Sequence, residues 1–304
     1  MNKLTIKACP LCGGTHLERA LTCVDHYASG EMFHLCRCRD CGFLFTQDFP
    51  VEAEIGRYYE TPDYISHTDT RKGAMNSVYH WVRNYMLGRK ARLVVREAHR
   101  KEGRLLDLGT GTGYFADAMQ RRGWQVEAVE KSAQARAFAK EHFNLDVKPH
   151  TALKDFAPGS FDVITLWHVM EHLEPLNETW ETLHSLLTEK GVLIVAVPNC
   201  SSFDAKKYGA YWAAYDVPRH LWHFTPGTIQ QFEAWLHHGR AASHAVRCLL
   251  RLHADRKAHE ALVYFPAGNG DRYTGLVQRV GEEGTQQFHD LRVQEERVRK
   301  GIRD

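Results

Sequence analysis

Two pairs of cysteines, Cys9-x2-Cys12 and Cys38-x2-Cys41, stand 25 residues apart. A C-x2-C pair places two thiolates on one side of a tight turn, and two such pairs are a signature for tetrahedral zinc. Gly13 and Gly42 follow the pairs and suit the turns. A structural zinc held by Cys9, Cys12, Cys38 and Cys41 is the expectation. Cys23 and Cys36 are spare, with Cys36 an alternative to Cys38. Six of the eight cysteines fall between Cys9 and Cys41. In a reducing compartment such clustering points to metal rather than to disulfides.

A second chemical stretch is "DLGTGTG", carrying Asp107, Gly109, Gly111 and Gly113 directly after the short apolar run "RLLDL". Glycines there let the backbone turn sharply into a helix and come close to a ligand. A dinucleotide fingerprint needs G-x-G-x-x-G. This chain has G-x-G-x-G, with Tyr114 where the third glycine of that fingerprint belongs. Glu130 closes the next apolar run, where a carboxylate can accept hydrogen bonds from two ribose hydroxyls.

The surrounding elements are those of an α/β fold. "RLLDLG", "WQVEAVEKS", "SFDVITLWHV" and "GVLIVAVPN" read as buried strands. "YFADAMQRRG", "AQARAFAKEHF" and "NETWETLHSLLTEKG" read as the helices between them. Near-continuous apolar strands alternating with helices imply a parallel sheet covered on both faces. Four blocks follow: a cysteine-rich module at 1–50, a helical connector at 51–100, a cofactor-binding α/β domain at 101–232 and a last block at 233–304. With 304 residues, 43% of them hydrophobic, the chain can bury one sizeable core plus a small module. A net charge of +2 demands neither nucleic acid nor an anionic membrane. No apolar run is long enough to span a bilayer, and the first residues lack the apolar core of a signal peptide. A cytoplasmic location is the expectation.

Asp107 to Gly113, with Glu130 following, resembles the class I S-adenosylmethionine-dependent methyltransferases. The likeness is strong over roughly residues 104–200. It implies a Rossmann-like sheet with helices on both faces, and S-adenosylmethionine as cofactor. By that resemblance the glycine loop packs on the methionine and ribose part of the cofactor, and Glu130 binds the ribose hydroxyls. Asp155 in "LKDF" is the nearest match to the acid that contacts the adenine amine. "LWHVMEHL" is similar to the family's "WHVLEH" segment, so Trp167 and His168 are expected at the cofactor and His172 at the substrate. The cysteine module resembles the cap of methyltransferases that act on sugars or small molecules, and "WAAYDVPRHLWHFTP" resembles the "WAAYDPPRHLYHFTP" segment of zinc-capped bacterial proteins. A small-molecule or sugar acceptor is implied. An RNA acceptor gripped by the cap is the alternative, but the basic residues of the cap are few, Lys7, Arg37 and Arg39 among them, and form no basic stripe. The oligomeric state is not legible.

An oxygen acceptor usually needs a base to take its proton, most often histidine. His220, His168 and His223 are the candidates. Long aromatic loops over α/β sheets are more often lids than linkers, which assigns Tyr215 and Arg219 to the substrate. Arg219 has two readings: a clamp on an anionic substrate group, or an ion pair with Asp216 that shapes the loop.

The block from residue 233 changes character. Residues 1–232 hold 12 Lys and 15 Arg, and residues 233–304 hold 2 Lys and 10 Arg. A helix and two closing strands, the last pair antiparallel, should finish the sheet, but only "LVYF" is compactly apolar. The closing strands are therefore expected to be missing or disrupted. Reading synonymous codons one base later regenerates family-like strings such as "HGF" and "FDAFYVS". That pattern implies a shifted frame near Phe232–Glu233, and with it an inactive, cofactor-binding protein as a third reading.

Overall fold

The computed structural model of the chain describes residues 2–59, 74–237, 245–252, 259–264 and 277–279. The chain opens with β1 (Lys3–Leu4), β2 (Leu17–Val24), β3 (Met32–Cys38), β4 (Leu44–Gln47) and β5 (Phe49–Pro50). β2, β3 and β4 form an antiparallel meander carrying the cysteine turns at one end. The short helix α1 (Glu52–Ile55) and the long helix α2 (Ala74–Ala98) follow.

From there strands and helices alternate as the apolar pattern requires: β6 (Arg104–Leu108), α3 (Tyr114–Gln120), β7 (Gln125–Val129), α4 (Ala133–Phe143), β8 (Val147–Lys148), β9 (Phe161–Trp167), α5 (Leu176–Leu186) and β10 (Leu187–Pro198). α4 shows the local logic. The Ser132 side chain accepts from the Ala135 amide at its start, and Asn144, at φ 54°, ends it. The helix "LNETWETLHSL" stops five residues before Gly191, because the buried Leu187 already pairs with Phe161 as sheet. α6 (Phe203–Tyr208), β11 (Trp222–His223) and α7 (Pro226–His237) complete the part in which most side chains are described.

Among the described residues the main sheet has eight strands, in the order β14-β13-β12-β10-β9-β6-β7-β8, where β12 is Ala245–Leu252, β13 is His259–Tyr264 and β14 is Val277–Arg279. β8, β7, β6, β9 and β10 are parallel. The chain moves outward from β6 to β8, then returns to lay β9 on the other side of β6. That reversal opens a crevice beyond the carboxyl ends of β6 and β9, the place where parallel α/β sheets bind ligands. One face of the sheet packs on α2 and α3 through Val94, Phe115, Met119, Val163 and Ile194. The other face shares a single core with the cysteine module: Phe43, Phe45 and Phe49 cluster with Phe161, Trp180 and Phe232. β11, although it follows β10 in sequence, pairs with β4 and becomes the edge strand of the module's sheet.

Of the expectation that the closing strands are missing or disrupted, the first part is corrected: they are not missing. β12 (Ala245–Leu252) runs parallel to Val192–Pro198, β13 (His259–Tyr264) pairs antiparallel with β12, and β14 (Val277–Arg279) lies antiparallel to β13. "AVRCLLRL" and "HEALVY" carry enough apolar and β-branched residues to continue an edge that β10 would otherwise leave unpaired. These strands lend the shifted-frame reading no support. The connecting stretches of 238–304, and the segment "TPDYISH", lie outside the described residues. Among the described residues no helix is long and apolar enough to cross a membrane.

Candidate functional site

The glycine loop leaves β6 at the floor of the crevice. Gly109, Gly111 and Gly113 all take positive φ, at 72°, 57° and 86°, a region costly for other residues. The three differ in what surrounds them. A Cβ on Gly109 would lie 2.3 Å from a Val169 methyl, and one on Gly113 would lie 2.8 Å from Leu145 and 2.9 Å from Ala139. Among the described residues a Cβ on Gly111 would meet nothing within 4 Å. Two glycines therefore serve packing, while the middle one presents bare backbone to open space.

Glu130 reaches back to this loop. Its Oε2 accepts from the Gly111 amide at 2.8 Å, and its Oε1 accepts from the Ser132 amide at 2.9 Å. Each oxygen keeps a further lone pair for a ligand hydroxyl. Asp107 is wholly buried, and its Oδ1 accepts from the Thr165 hydroxyl at 2.7 Å. Burial raises its carboxyl to about 6, with the Thr110 and Thr165 hydroxyls opposing the shift. Thr165 is a supporting residue that sequence reasoning missed. Asp155 ends the short helical turn His150–Asp155 after β8 and is exposed.

The segment after β9 forms the opposite wall. Trp167 packs edge-on against Phe115, Lys90 lies over its ring, and among the described residues its indole N–H has no hydrogen-bond partner. His168 takes φ 59°, and its amide donates to Ala196 at 2.9 Å. This strained turn leaves the His168 side chain 36% exposed, with Nδ1 3.4 Å from the Glu171 carboxylate. Glu171 is fully buried. Burial alone would raise it, but His168, His220 and His172 together hold it down at about 2. His172 and His220 meet edge to face, with ring centroids 4.5 Å apart. Burial and the neighbouring His220 lower His172 to about 4. The sequence displays Glu171 inside "WHVMEH" but gives it no role. The signal that could have found it is an acid flanked by histidines beside the "PRH" turn.

The aromatic loop is fastened to the cysteine module rather than left as a free flap. Arg219 is 1% exposed and donates to the Asp25 and Asp216 carboxylates and to the Tyr58 carbonyl. Of its two expected roles, the structure makes the ion pair with Asp216 and extends it to Asp25 of the module. The clamp on a substrate anion is corrected, because the described donors are already spent inside the protein. His223 is buried and lies 3.1 Å from the Thr46 hydroxyl through Nε2. Thr46 spends its only proton on the His220 carbonyl, so His223 Nε2 is the donor. Burial, and then His220, lowers His223 to about 3, which makes it scaffold rather than base. Tyr215 is also buried, edge-on to Trp212 and His223, and burial raises its phenol. The cavity it lines with His26, Tyr27, Tyr211 and Arg219 measures about 20 Å³, room for about one water and not for an acceptor.

The four cysteines of the paired turns converge. Cys9 and Cys41 sulfurs are 3.5 Å apart, as are those of Cys12 and Cys38, and all four lie within 4.8 Å of one another. A zinc with Zn–S of about 2.3 Å holds tetrahedral sulfurs roughly 3.8 Å apart, so the set fits that ion. The two turns match: the Gly13 amide donates to the Cys9 carbonyl and the Gly42 amide to the Cys38 carbonyl, both at 2.8 Å. Cys23 and Cys36 are buried outside the set, and burial raises both thiols.

Residues 79–238 match a family described as a methyltransferase domain, just over half of the chain. The chain belongs to the methyltransferase-domain family. The match ends one residue past α7, close to where the basic composition changes. Among curated relatives, a ubiquinone biosynthesis O-methyltransferase of Caulobacter sp. (strain K31) is 33% identical over 124 residues, covering 38% of this chain and 49% of the relative. An uncharacterized methyltransferase of Staphylococcus carnosus is 30% identical over 109 residues, covering 35% and 51%. This chain thus spans about half the length of the relatives it matches. A solved S-adenosylmethionine-dependent methyltransferase from Archaeoglobus fulgidus is similar at 22% identity and a TM-score of 0.43, covering 51% of this chain and 68% of that one.

Proposed function

We propose that this protein transfers the methyl group of S-adenosylmethionine to a small-molecule or sugar acceptor in the cytoplasm. One observation carries the reading: at the crevice where the sheet reverses, Gly111 leaves its backbone beside open space while Glu130 is fixed against it. Glu130 would hold the ribose hydroxyls, and the amides of the loop would face the rest of the cofactor, with Asp107 bracing the loop from below and Asp155 and Trp167 at its border. When bound, S-adenosylmethionine supplies a methyl group already activated on a sulfonium, so the chain's own residues need only bind, orient and move a proton. His168 is the histidine best placed for that proton. It is partly exposed on the crevice wall, with its Nδ1 3.4 Å from the buried Glu171 carboxylate, within reach of a group that could orient it as a base. Relatives named ubiquinone biosynthesis O-methyltransferases favour an acceptor oxygen. In this reading residues 1–50 are a cap stabilised by zinc on Cys9, Cys12, Cys38 and Cys41, residues 51–100 connect, and residues 101–232 carry the transfer.

Calorimetry with S-adenosylmethionine tests the cofactor half, and transfer of labelled methyl to a panel of hydroxylated small molecules tests the acceptor half. Saturable binding that Glu130→Ala weakens at least tenfold is expected. A chain that binds no S-adenosylmethionine ends the proposal.

A further inference from the structure

The Glu171 carboxylate is buried completely, and among the described residues neither oxygen accepts a hydrogen bond. A buried anion without hydrogen bonds is costly unless a cation or metal compensates it. The nearest partner described is His168 Nδ1, at 3.4 Å, a distance that leaves the carboxylate unsaturated. Two more imidazoles face the same spot. His172 Nδ1 lies 2.9 Å from the Arg219 carbonyl and 3.2 Å from the Tyr59 hydroxyl. His220 Nδ1 lies 2.8 Å from the Ala214 carbonyl. A carbonyl only accepts, so both rings carry their proton on Nδ1 and keep the Nε2 lone pair. An imidazole held by Nδ1–H to a carbonyl with Nε2 free is the state in which histidine binds metals. Asp216 does not consume the His220 lone pair, since its Oδ2 stays 3.8 Å from Nε2 and its carboxylate is engaged by Arg219. One ligand atom from each of Glu171, His172 and His220 lies within 4.8 Å of the others.

We infer that Glu171, His172 and His220 form a second metal site, separate from the cysteine cap, for one divalent transition ion. Two imidazoles and a carboxylate suit zinc ahead of magnesium or calcium, which prefer all-oxygen shells. Tetrahedral zinc spaces such ligands roughly 3.3 Å apart, so loading draws the three side chains together. Three protein ligands leave a fourth position open, the pattern of a catalytic rather than a structural zinc. The ion would bridge two working parts. Glu171 and His172 follow Val169, which packs on Gly109 of the glycine loop, and His220 belongs to the aromatic loop. Its use, holding an acceptor hydroxyl at the open position, rests on the proposed methyl transfer; its binding does not.

The full chain, stripped by chelator, re-equilibrated with zinc alone and dialysed, is assayed for zinc per chain by elemental analysis. Glu171→Gln and His220→Ala are each expected to hold one zinc fewer than the unmodified chain. Cys38→Ser is expected to lose a different one, so that combining it with His220→Ala removes both. Folded Glu171→Gln and His220→Ala proteins that hold as much zinc as the unmodified chain overturn the inference. X-ray absorption of the zinc-loaded unmodified chain needs no variant: nitrogen and oxygen scatterers beside sulfur support the site, and an all-sulfur shell refutes it. S-adenosylmethionine binding is measured on the same samples. Its absence in the unmodified chain counts against the methyl-transfer reading and leaves the metal result standing.

Discussion

Arg219→Met should unfasten the aromatic loop from the cap. Asp25 is fully buried and also accepts from the amides of Tyr27, Ala28 and Ser29 and from the Ser29 hydroxyl. Its neutralising cation comes from Arg219, 2.9 Å away. Removing one partner of a buried ion pair typically costs about 3–5 kcal/mol, because the other charge stays buried. Here Asp216, only 17% exposed, loses its partner too. At neutral pH the variant should lose about 3–5 kcal/mol, which lowers Tm by roughly 10 °C in a chain of this size. The pH dependence identifies the cause. Burial pushes the Asp25 carboxyl up, but Arg219 and the Ser29 donors outweigh it and hold it below its ordinary value. A depressed carboxylate contributes stability that is present above the unfolded pKa, about 3.9, and is lost as pH falls through the folded value. In Arg219→Met the Asp25 carboxyl loses that cation and protonates at higher pH. The deficit should therefore be largest at pH 7, begin to shrink as pH falls through the raised carboxyl value of the variant, and go on shrinking below about 4. Urea melts of both proteins from pH 7 to pH 3.5 measure it. A deficit under about 1 kcal/mol, or one independent of pH, would show that the latch carries no such load.

Three further outcomes follow from the crevice and the cap. Glu130→Gln keeps the shape but loses the charge, and hydrogen bonds to charged groups contribute about 1.5–3 kcal/mol, so S-adenosylmethionine affinity should fall roughly 10–150-fold by calorimetry while Tm moves little. Gly113→Ala forces a Cβ against Leu145 and Ala139 at positive φ and should cost about 2–4 kcal/mol by thermal melt. Gly111→Ala should cost only about 1–2 kcal/mol yet weaken the cofactor, and equal stability losses for the two glycines would contradict the packing described. If Cys9, Cys12, Cys38 and Cys41 hold the proposed zinc, chelation or Cys38→Ser should lower Tm by more than 5 °C, since structural zinc contributes folding free energy directly, on the order of 10 kcal/mol in small domains, and Phe43 and Phe45 share the main core.

The amino-acid sequence by itself determined the features that rest on short spacing. C-x2-C dictates a turn with two sulfurs on one side, and both turns formed. Three glycines after an apolar strand dictate a loop of positive φ, and an acid after the next strand lands beside it because neighbouring parallel strands end at the same edge. The parallel order of β6 to β10 likewise follows from buried strands alternating with helices.

Only the tertiary structure decided what long-range contacts control. Arg219 and Asp25 are 194 positions apart, so nothing local distinguishes a buried latch from a substrate clamp. His223 and Tyr215 look like site residues in the loop, but β11 docks on β4 and turns them into the core. Glu171 looks like one acid among many until three histidines and complete burial surround it. The strands after residue 245 pair because β10 offers an open edge, which compensates for a sequence pattern too weak to announce them. Spacing fixes what one turn or one strand end can do. Burial, partners and therefore charge state depend on which distant segments the fold brings together.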